Sequence, residues 1–280
     1  MTAIARPQPP LEAATISRRD TARGTYGAAV AAEWTKLRSV RSTVWSLLVT
    51  IVITVGLGAL LSAAIIARWD KLDPVDRFTF DATAHSLRGI FLAQLAIGVL
   101  GVLVIGSEYT TGSIRQTFAA IPRRRTVIAA KATVLAIVSA VVSLIGCFAA
   151  FGVGQVILQG KHVGVSLGDP NVLRAVLGGA AYLTAVSIIG FSMATVLRRT
   201  PGALAALFAV VLVLPLLSNA LPSPWDENVS KMLPATAGES LFSTRSAPDI
   251  LTTGRALIVL AVWVGVTFTG AMIAIARRDT

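Results

Sequence analysis

Charged and hydroxyl-bearing side chains concentrate in one stretch between two long apolar runs, Glu108 to Lys131, which reads EYTTGSIRQTFAAIPRRRTVIAAK. Ile114, Phe118 and Ile121 recur at i, i+4 and i+7, which places them on one face of a helix. A proline follows and ends that helix, and Arg123–Arg125 come directly after it. The stretch therefore predicts a short amphipathic helix followed by a basic collar, Arg123–Arg125. The charged residues of such a helix can form ionic contacts with another surface.

The same stretch carries its own boundary signals. Gly112 supplies a flexible point before the helix, and Thr111 or Ser113 can cap it. A bare hairpin between two membrane helices needs only a few residues. Two interpretations remain open: a positive segment that only fixes membrane topology, or a docking surface for a soluble partner.

No stretch of the sequence carries a catalytic motif. Gly154–His162 is the nearest match to a phosphate-binding loop, but it has one residue too many between its glycines and His in place of Ser or Thr. Gly190–Ala194 lacks the second glycine of a nucleophile elbow. His85 and His162 are isolated, with no further metal ligands arranged near them. We therefore predict no enzyme activity in this chain, no catalytic or metal site and no cofactor.

The pattern EYTTGSIR … PRRR … K resembles the loop after the second span in the permease subunit of bacterial type-two ATP-binding cassette exporters. The sequence AEWTKLRSVRS at Ala32–Ser42 and a six-span layout extend the resemblance. It covers most of Ala29–Arg278.

The resemblance implies that this loop carries a coupling helix, which inserts into a notch on a separate ATPase subunit where ATP is hydrolysed. It implies a second permease copy or a paralogue as a further partner. Carried onto this sequence, the coupling residues are Glu33, Glu108, Gly112, Arg115, Phe118, Arg123, Arg124 and Arg125. The second and fifth spans would line the substrate path, with Gln94, Phe208, Pro215 and Asn219 as candidates. Short helices before the last span would roof that path, and Ala235–Phe242 is the candidate.

The composition indicates which secondary-structure elements hold these residues in place. The chain is 54% hydrophobic and 14% charged, whereas soluble domains carry about 25% charged residues. A helix needs about 20 apolar residues to cross a membrane. We predict an all-α polytopic membrane protein with spans at Val44–Ala67, Gly89–Ser107, Ala132–Leu158, Ala175–Leu197, Gly202–Leu221 and Ala256–Ala276. None contains Asp, Glu, Lys, Arg or His, which argues against a proton-driven transporter.

Two segments precede the spans. Residues 1–24 hold scattered charges and three prolines and predict a disordered cytoplasmic tail, so that 25–280 forms a single six-span domain. Thr25–Ser42 predicts an amphipathic helix in the interface plane. Glu33 falls inside its apolar arc, and we expect it to pair with Lys36. The family resemblance offers another role, in which Glu33 faces the ATPase.

The distribution of charge predicts orientation. With the amino terminus inside, 16 of the 25 Lys and Arg residues and five of the 14 Asp and Glu residues lie on the cytoplasmic side. Both termini are then cytoplasmic, and the protein is a multi-pass component of the plasma membrane. The basicity follows the membrane edges and forms no domain of its own, which excludes nucleic acid as a partner. One cysteine, Cys147, permits no intrachain disulfide.

Small and polar residues form stripes within the spans. The stripe in the third span favours close helix packing; its members are Ser139, Ser143, Gly146, Ala150 and Gly154. Gln94 either bonds another helix or faces a polar path, because a lone amide in lipid is costly. The leading interpretation is an exporter permease, and the alternative is a non-transporting membrane scaffold or immunity-type protein.

Overall fold

The computed structural model describes residues 18–120, 123–218, 220, 222, 225–245 and 250–277. The described residues form thirteen α-helices: α1 Arg18–Ser39, α2 Arg41–Arg68, α3 Pro74–Phe78, α4 Ala82–Ser86, α5 Ile90–Thr111, α6 Ile114–Ala120, α7 Arg124–Leu158, α8 Val172–Leu197, α9 Thr200–Phe208, α10 Leu214–Ser218, α11 Trp225–Ser230, α12 Pro234–Phe242 and α13 Thr253–Arg277. Short 3₁₀ turns follow α2 and α7, and a π-helical segment, Ala209–Val213, joins α9 to α10.

Six of these segments are long and apolar enough to cross a membrane, and they match the six predicted spans. They are α2, α5, α7, α8, the continuous α9–α10 segment and α13. The connections between successive spans alternate between the two ends of the helix bundle. We call the end that carries α6 the α6 side and the end that carries α12 the α12 side. The all-α, six-span prediction is confirmed.

The third span differs most from its predicted limits, because α7 begins at Arg124 rather than at Ala132. Val127, Ile128 and Ala130 are buried, and no glycine or proline interrupts this segment. The segment therefore continues the helix beyond the purely apolar run. Two arginines of the predicted collar lie in the first turn of α7, and the connection between α6 and α7 is short.

The centre of the bundle is the contact of α5 with α8, and α7 packs against α8 beside it. An ideal Cβ added to Gly101 of α5 would lie 2.0 Å from the Ser187 carbonyl oxygen of α8, so only glycine permits this approach. The Ser187 hydroxyl oxygen lies 2.8 Å from that of Ser139 in α7. Ser139, a member of the stripe predicted to favour close helix packing, therefore lies at a helix–helix contact.

The fifth span contains an irregularity at its middle. Pro215 has no N–H to donate to the carbonyl oxygen of Val211, four residues earlier, so regular α-helical bonding cannot continue there. The π-helical segment Ala209–Val213 lies directly before it. Leu212, Val213 and Leu216 point outward and are exposed on this span.

The amino-terminal helix α1 begins at Arg18, within the segment predicted to be a tail, and ends at Ser39, before the predicted Ser42. Val40 adopts an extended conformation (φ −86°, ψ 115°) and separates α1 from α2. Tyr26 of α1 and Thr133 of α7 have their hydroxyl oxygens 2.9 Å apart. The tail prediction for residues 1–17 lies outside the described residues.

On the α12 side, the helix predicted over Ala235–Phe242 is present as α12. The Arg174 guanidinium donates to the carbonyl oxygen of Ser243 (2.7 Å) and to the hydroxyl of Thr253 (3.0 Å). Asp81, ahead of α4, accepts a hydrogen bond from the backbone N–H of Thr244 (2.7 Å). These contacts fix the end of α12 against the starts of α4, α8 and α13.

Candidate functional site

Four charged side chains meet where α1, α5 and α7 come together on the α6 side. Lys131 donates to Glu33 Oε2 (2.7 Å) and to Glu108 Oε1 (2.5 Å), and Lys36 also donates to Glu108 Oε1. Lys131 is 1% exposed and Glu108 3% exposed. We call Glu33, Lys36, Glu108 and Lys131 the ion cluster. Its two positive and two negative charges balance, which is the condition for burying such groups.

The predicted pair of Glu33 with Lys36 is wrong. Both residues are described, and the carboxylate of Glu33 pairs with Lys131 while Lys36 pairs with Glu108. Ala29 and Glu33 lie on the face of α1 that is buried against the bundle, whereas Lys36 is exposed. A buried carboxylate needs a partner that approaches from the bundle, and only a residue distant in sequence can do so.

Helix α6 lies between Glu108 and Lys131 in the sequence. Gly112 ends α5 with a φ of +74°, a left-handed conformation that glycine adopts without strain. Ile114 is buried, and Phe118 packs against the core with the Arg124 guanidinium 5.3 Å from its ring centroid. Arg115 is exposed. The predicted short helix is therefore present, while Ile121 and the proline after it lie outside the described residues.

The outward surface of this region consists of exposed residues from α6 and the start of α7. They are Arg115, Gln116, Ala119, Arg123 and Arg125. Beneath them, the Glu108–Lys131 bond joins the last turn of α5 to the second turn of α7. The Glu108–Lys131 bond therefore ties together the two spans between which α6 lies in the sequence.

The two glutamates predicted to contact a partner face inward. Glu33 and Glu108 are buried in the ion cluster, so each holds helices together and neither lies on the outward surface of α6. Arg115, Arg123 and Arg125 remain exposed and available to a partner. The coupling role of all of these residues stays a prediction.

The candidate path residues are dispersed. Gln94 is buried, donates to the Phe91 carbonyl oxygen (2.8 Å) and accepts a hydrogen bond from the Tyr182 hydroxyl of α8. Of the two alternatives for its amide, the structure therefore shows the bond to another helix. Phe208 and Pro215 are half-buried on the fifth span. Asn219 lies outside the described residues, and the path assignment of all four stays a prediction.

A cavity of about 790 Å³ lies on the α12 side, between α12 and the α3–α4 region. Both signs of charge line it, from Asp76, Arg88, Glu239 and Arg245 among others. Burial, with a smaller contribution from the charge of Arg88, lowers the pKa of His85 in its wall to about 4. His85 is therefore neutral at physiological pH.

Sequence reasoning named Lys36 only as a local partner of Glu33 and gave Lys131 no role. The available signal was the setting of Lys131, which follows Val127–Ala130 and precedes a long run without charges. A lysine inside such a run requires a buried counter-ion. Several acidic residues of the sequence could satisfy that requirement, so the sequence alone does not say which of them does.

A comparison with protein families matches residues 29–217 to a family described as "ABC-2 family transporter protein". The match begins within α1 and ends within α10, and it includes the whole ion cluster and α6. The chain matches none of the curated proteins with which it was compared.

Proposed function

Because the chain belongs to the ABC-2 transporter family, a family of membrane permeases, we propose that it exports its substrate and that a separate ATPase subunit docks on α6. The observation that supports this proposal most directly is the two-sided character of α6. Its inner face, with Ile114 and Phe118, packs against the bundle, and its outer face presents Arg115. An arginine exposed on a fixed helix suits a carboxylate-bearing notch.

In this mechanism, ATP-driven closure of the ATPase displaces α6. The Glu108–Lys131 bond passes that displacement to α5 and α7 together, and Glu33 extends it to α1. Because α5 packs closely against α8 at Gly101, the centre of the bundle must follow. The cavity beside α12 on the opposite side would receive the substrate on its way out.

A second copy or a paralogue completes the path in this proposal. α2, the α9–α10 segment and α13 are the least enclosed of the six spans, and each carries large exposed apolar side chains such as Val52, Leu216 and Val266. Lipid covers part of these faces. The second permease would cover the rest and enclose the path between the two copies.

Charge reversal at the outward surface tests the docking. Arg115→Glu should reduce co-purification with the ATPase and uncouple ATP hydrolysis from export, because a charged contact that loses its partner costs about 2–5 kcal/mol. The melting temperature of the isolated chain should not change, since Arg115 is exposed. The measurements are co-purification and substrate-stimulated hydrolysis in lipid vesicles.

Arg255→Glu is the matched control, because Arg255 is also exposed but lies at the start of α13 on the α12 side. It should leave assembly unchanged. Wild-type assembly by Arg115→Glu would reduce α6 to a topology signal. That result would favour the alternative of a scaffold or immunity-type protein that needs no ATPase.

The proposed orientation places the α6 side and both termini in the cytoplasm, because most Lys and Arg residues lie on that side. Cysteines introduced singly at Gln116 and Gly168, in a Cys147→Ser background, report the two sides. An impermeant thiol reagent added to intact cells should label position 168 and leave position 116 unlabelled until the membrane is permeabilised. The reverse pattern would contradict the orientation.

A further inference from the structure

A second cavity, of about 220 Å³, opens between α1, α2 and α5 on the α6 side. Its walls are largely apolar, with Leu37, Val40, Leu103 and Val104 among them, and all four members of the ion cluster line it. The cavity lies beside the ends of the second and third spans, at the level where the apolar runs give way to charges. In the proposed orientation this is the level of the headgroups of the inner leaflet.

The ion cluster leaves one acceptor unused. Lys36 and Lys131 both donate to Oε1 of Glu108, and Oε2 of the same carboxylate is buried without a hydrogen-bond partner among the described residues. An unpaired carboxylate oxygen removed from water is costly. A donor that enters the cavity would satisfy it.

Two further features define the chemistry of that donor. The ion cluster carries no net charge, so a ligand without net charge preserves the balance that an anionic or cationic ligand would upset. The Lys36 side chain is 43% exposed and has N–H groups beyond the one given to Glu108, so it can also bind an anionic oxygen. A zwitterion with an ammonium group and a phosphate fits both positions.

The surroundings of the cavity supply a place for acyl chains. Val40 lines the cavity, and Val44 and Leu48 follow on α2, four residues apart and therefore on one face. All three are exposed in the isolated chain. A ligand with its head in the cavity would extend its apolar part along this strip.

We propose that this cavity binds the headgroup of a zwitterionic phospholipid with a primary ammonium group, with the ammonium donating to Glu108 Oε2 and the phosphate bound by Lys36. A quaternary ammonium has no N–H to donate and cannot satisfy the carboxylate. The site therefore distinguishes phosphatidylethanolamine from phosphatidylcholine. The proposal concerns the isolated chain and does not depend on ATPase docking.

The test exposes the purified chain, in detergent micelles, to equal amounts of phosphatidylethanolamine and phosphatidylcholine with identical acyl chains. Mass spectrometry then measures the lipid that remains after washing. The wild-type chain should retain phosphatidylethanolamine over phosphatidylcholine by about tenfold, as expected for one hydrogen bond to a charged group. Equal retention of the two lipids would overturn the proposal.

Leu103→Trp should abolish the preference by filling the cavity, without altering the ion cluster. Leu92→Trp is the matched control, because it introduces the same side chain on the same helix at an exposed position near the other end. It should keep the wild-type preference. A preference that survives Leu103→Trp would place the lipid elsewhere and refute the site.

Two further experiments test whether the ligand is a lipid or a free headgroup, and whether Glu108 is the acceptor. Free phosphoethanolamine should not displace the lipid, because it lacks acyl chains. Displacement would show that the free headgroup, rather than the lipid, is the ligand. Glu108→Gln, in protein that still elutes as a folded species, should lose the preference. Retention of the full preference in this variant would contradict the assignment of Glu108 as acceptor.

Discussion

Replacing Lys131 with methionine should destabilise the protein more than any other single substitution in the ion cluster. Among the described residues, Lys131 is the only ion-pair partner of Glu33 and one of the two ion-pair partners of Glu108. Its removal leaves two buried carboxylates with a single lysine, and loss of one member of a buried ion pair costs about 3–5 kcal/mol. The expected result is a large decrease in melting temperature, measured on the detergent-solubilised chain by loss of the folded species on size-exclusion chromatography after heating.

The chain contains its own control for this experiment. Lys161 bonds Asp70 at the same 2.5 Å N–O distance as Lys131 bonds Glu108, but these two side chains are 36% and 75% exposed. Solvent screens such a pair, so Lys161→Met should change the melting temperature little. Similar decreases for the two variants would show that burial does not determine the importance of the ion cluster.

A double substitution separates loss of charge balance from loss of packing. Glu33→Leu removes one of the carboxylates that Lys131→Met leaves unpaired. The double variant should therefore be more stable than Lys131→Met alone, since coupled residues deviate from additivity by about 0.5–3 kcal/mol. If Glu33→Leu instead adds its full cost to that of Lys131→Met, the two side chains are not coupled.

Gly101→Ala should disturb the centre of the bundle. The added methyl group would lie 2.0 Å from the Ser187 carbonyl oxygen and 3.2 Å from the backbone nitrogen of Phe191, both in the backbone of α8. Backbone atoms within a helix cannot rotate away, so α5 and α8 must separate. Overpacking of this kind costs about 1–3 kcal/mol, and the same heating assay measures it.

Gly152→Ala is the control, because Gly152 lies inside α7 and an added Cβ there meets no atom within 4 Å. Alanine favours a helix over glycine by about 1 kcal/mol, so this variant should be as stable as the wild type or more so. Equal effects of the two substitutions would mean that the close approach of α5 and α8 does not require glycine.

Local sequence was sufficient to predict the six membrane-spanning helices and α6. Apolar runs of span length predicted all six membrane helices, because the hydrocarbon thickness fixes the length of each run. The spacing of Ile114 and Phe118 and the glycine before them predicted α6, since these signals act within a few residues. The family resemblance over the same stretches agreed with the family match.

Tertiary structure decided which polar groups meet. The bond from Tyr182 to Gln94 and the bonds from Lys131 to Glu33 and Glu108 join residues 88, 98 and 23 positions apart. Several partners were compatible with each of these groups in the sequence, and helix packing selected one of them. Buried charges must be balanced in any fold. Only the arrangement of α1, α5 and α7 determined that Lys131 balances Glu33 and that Glu108 Oε2 is buried without a hydrogen-bond partner among the described residues, because burial is a property of the assembled helices.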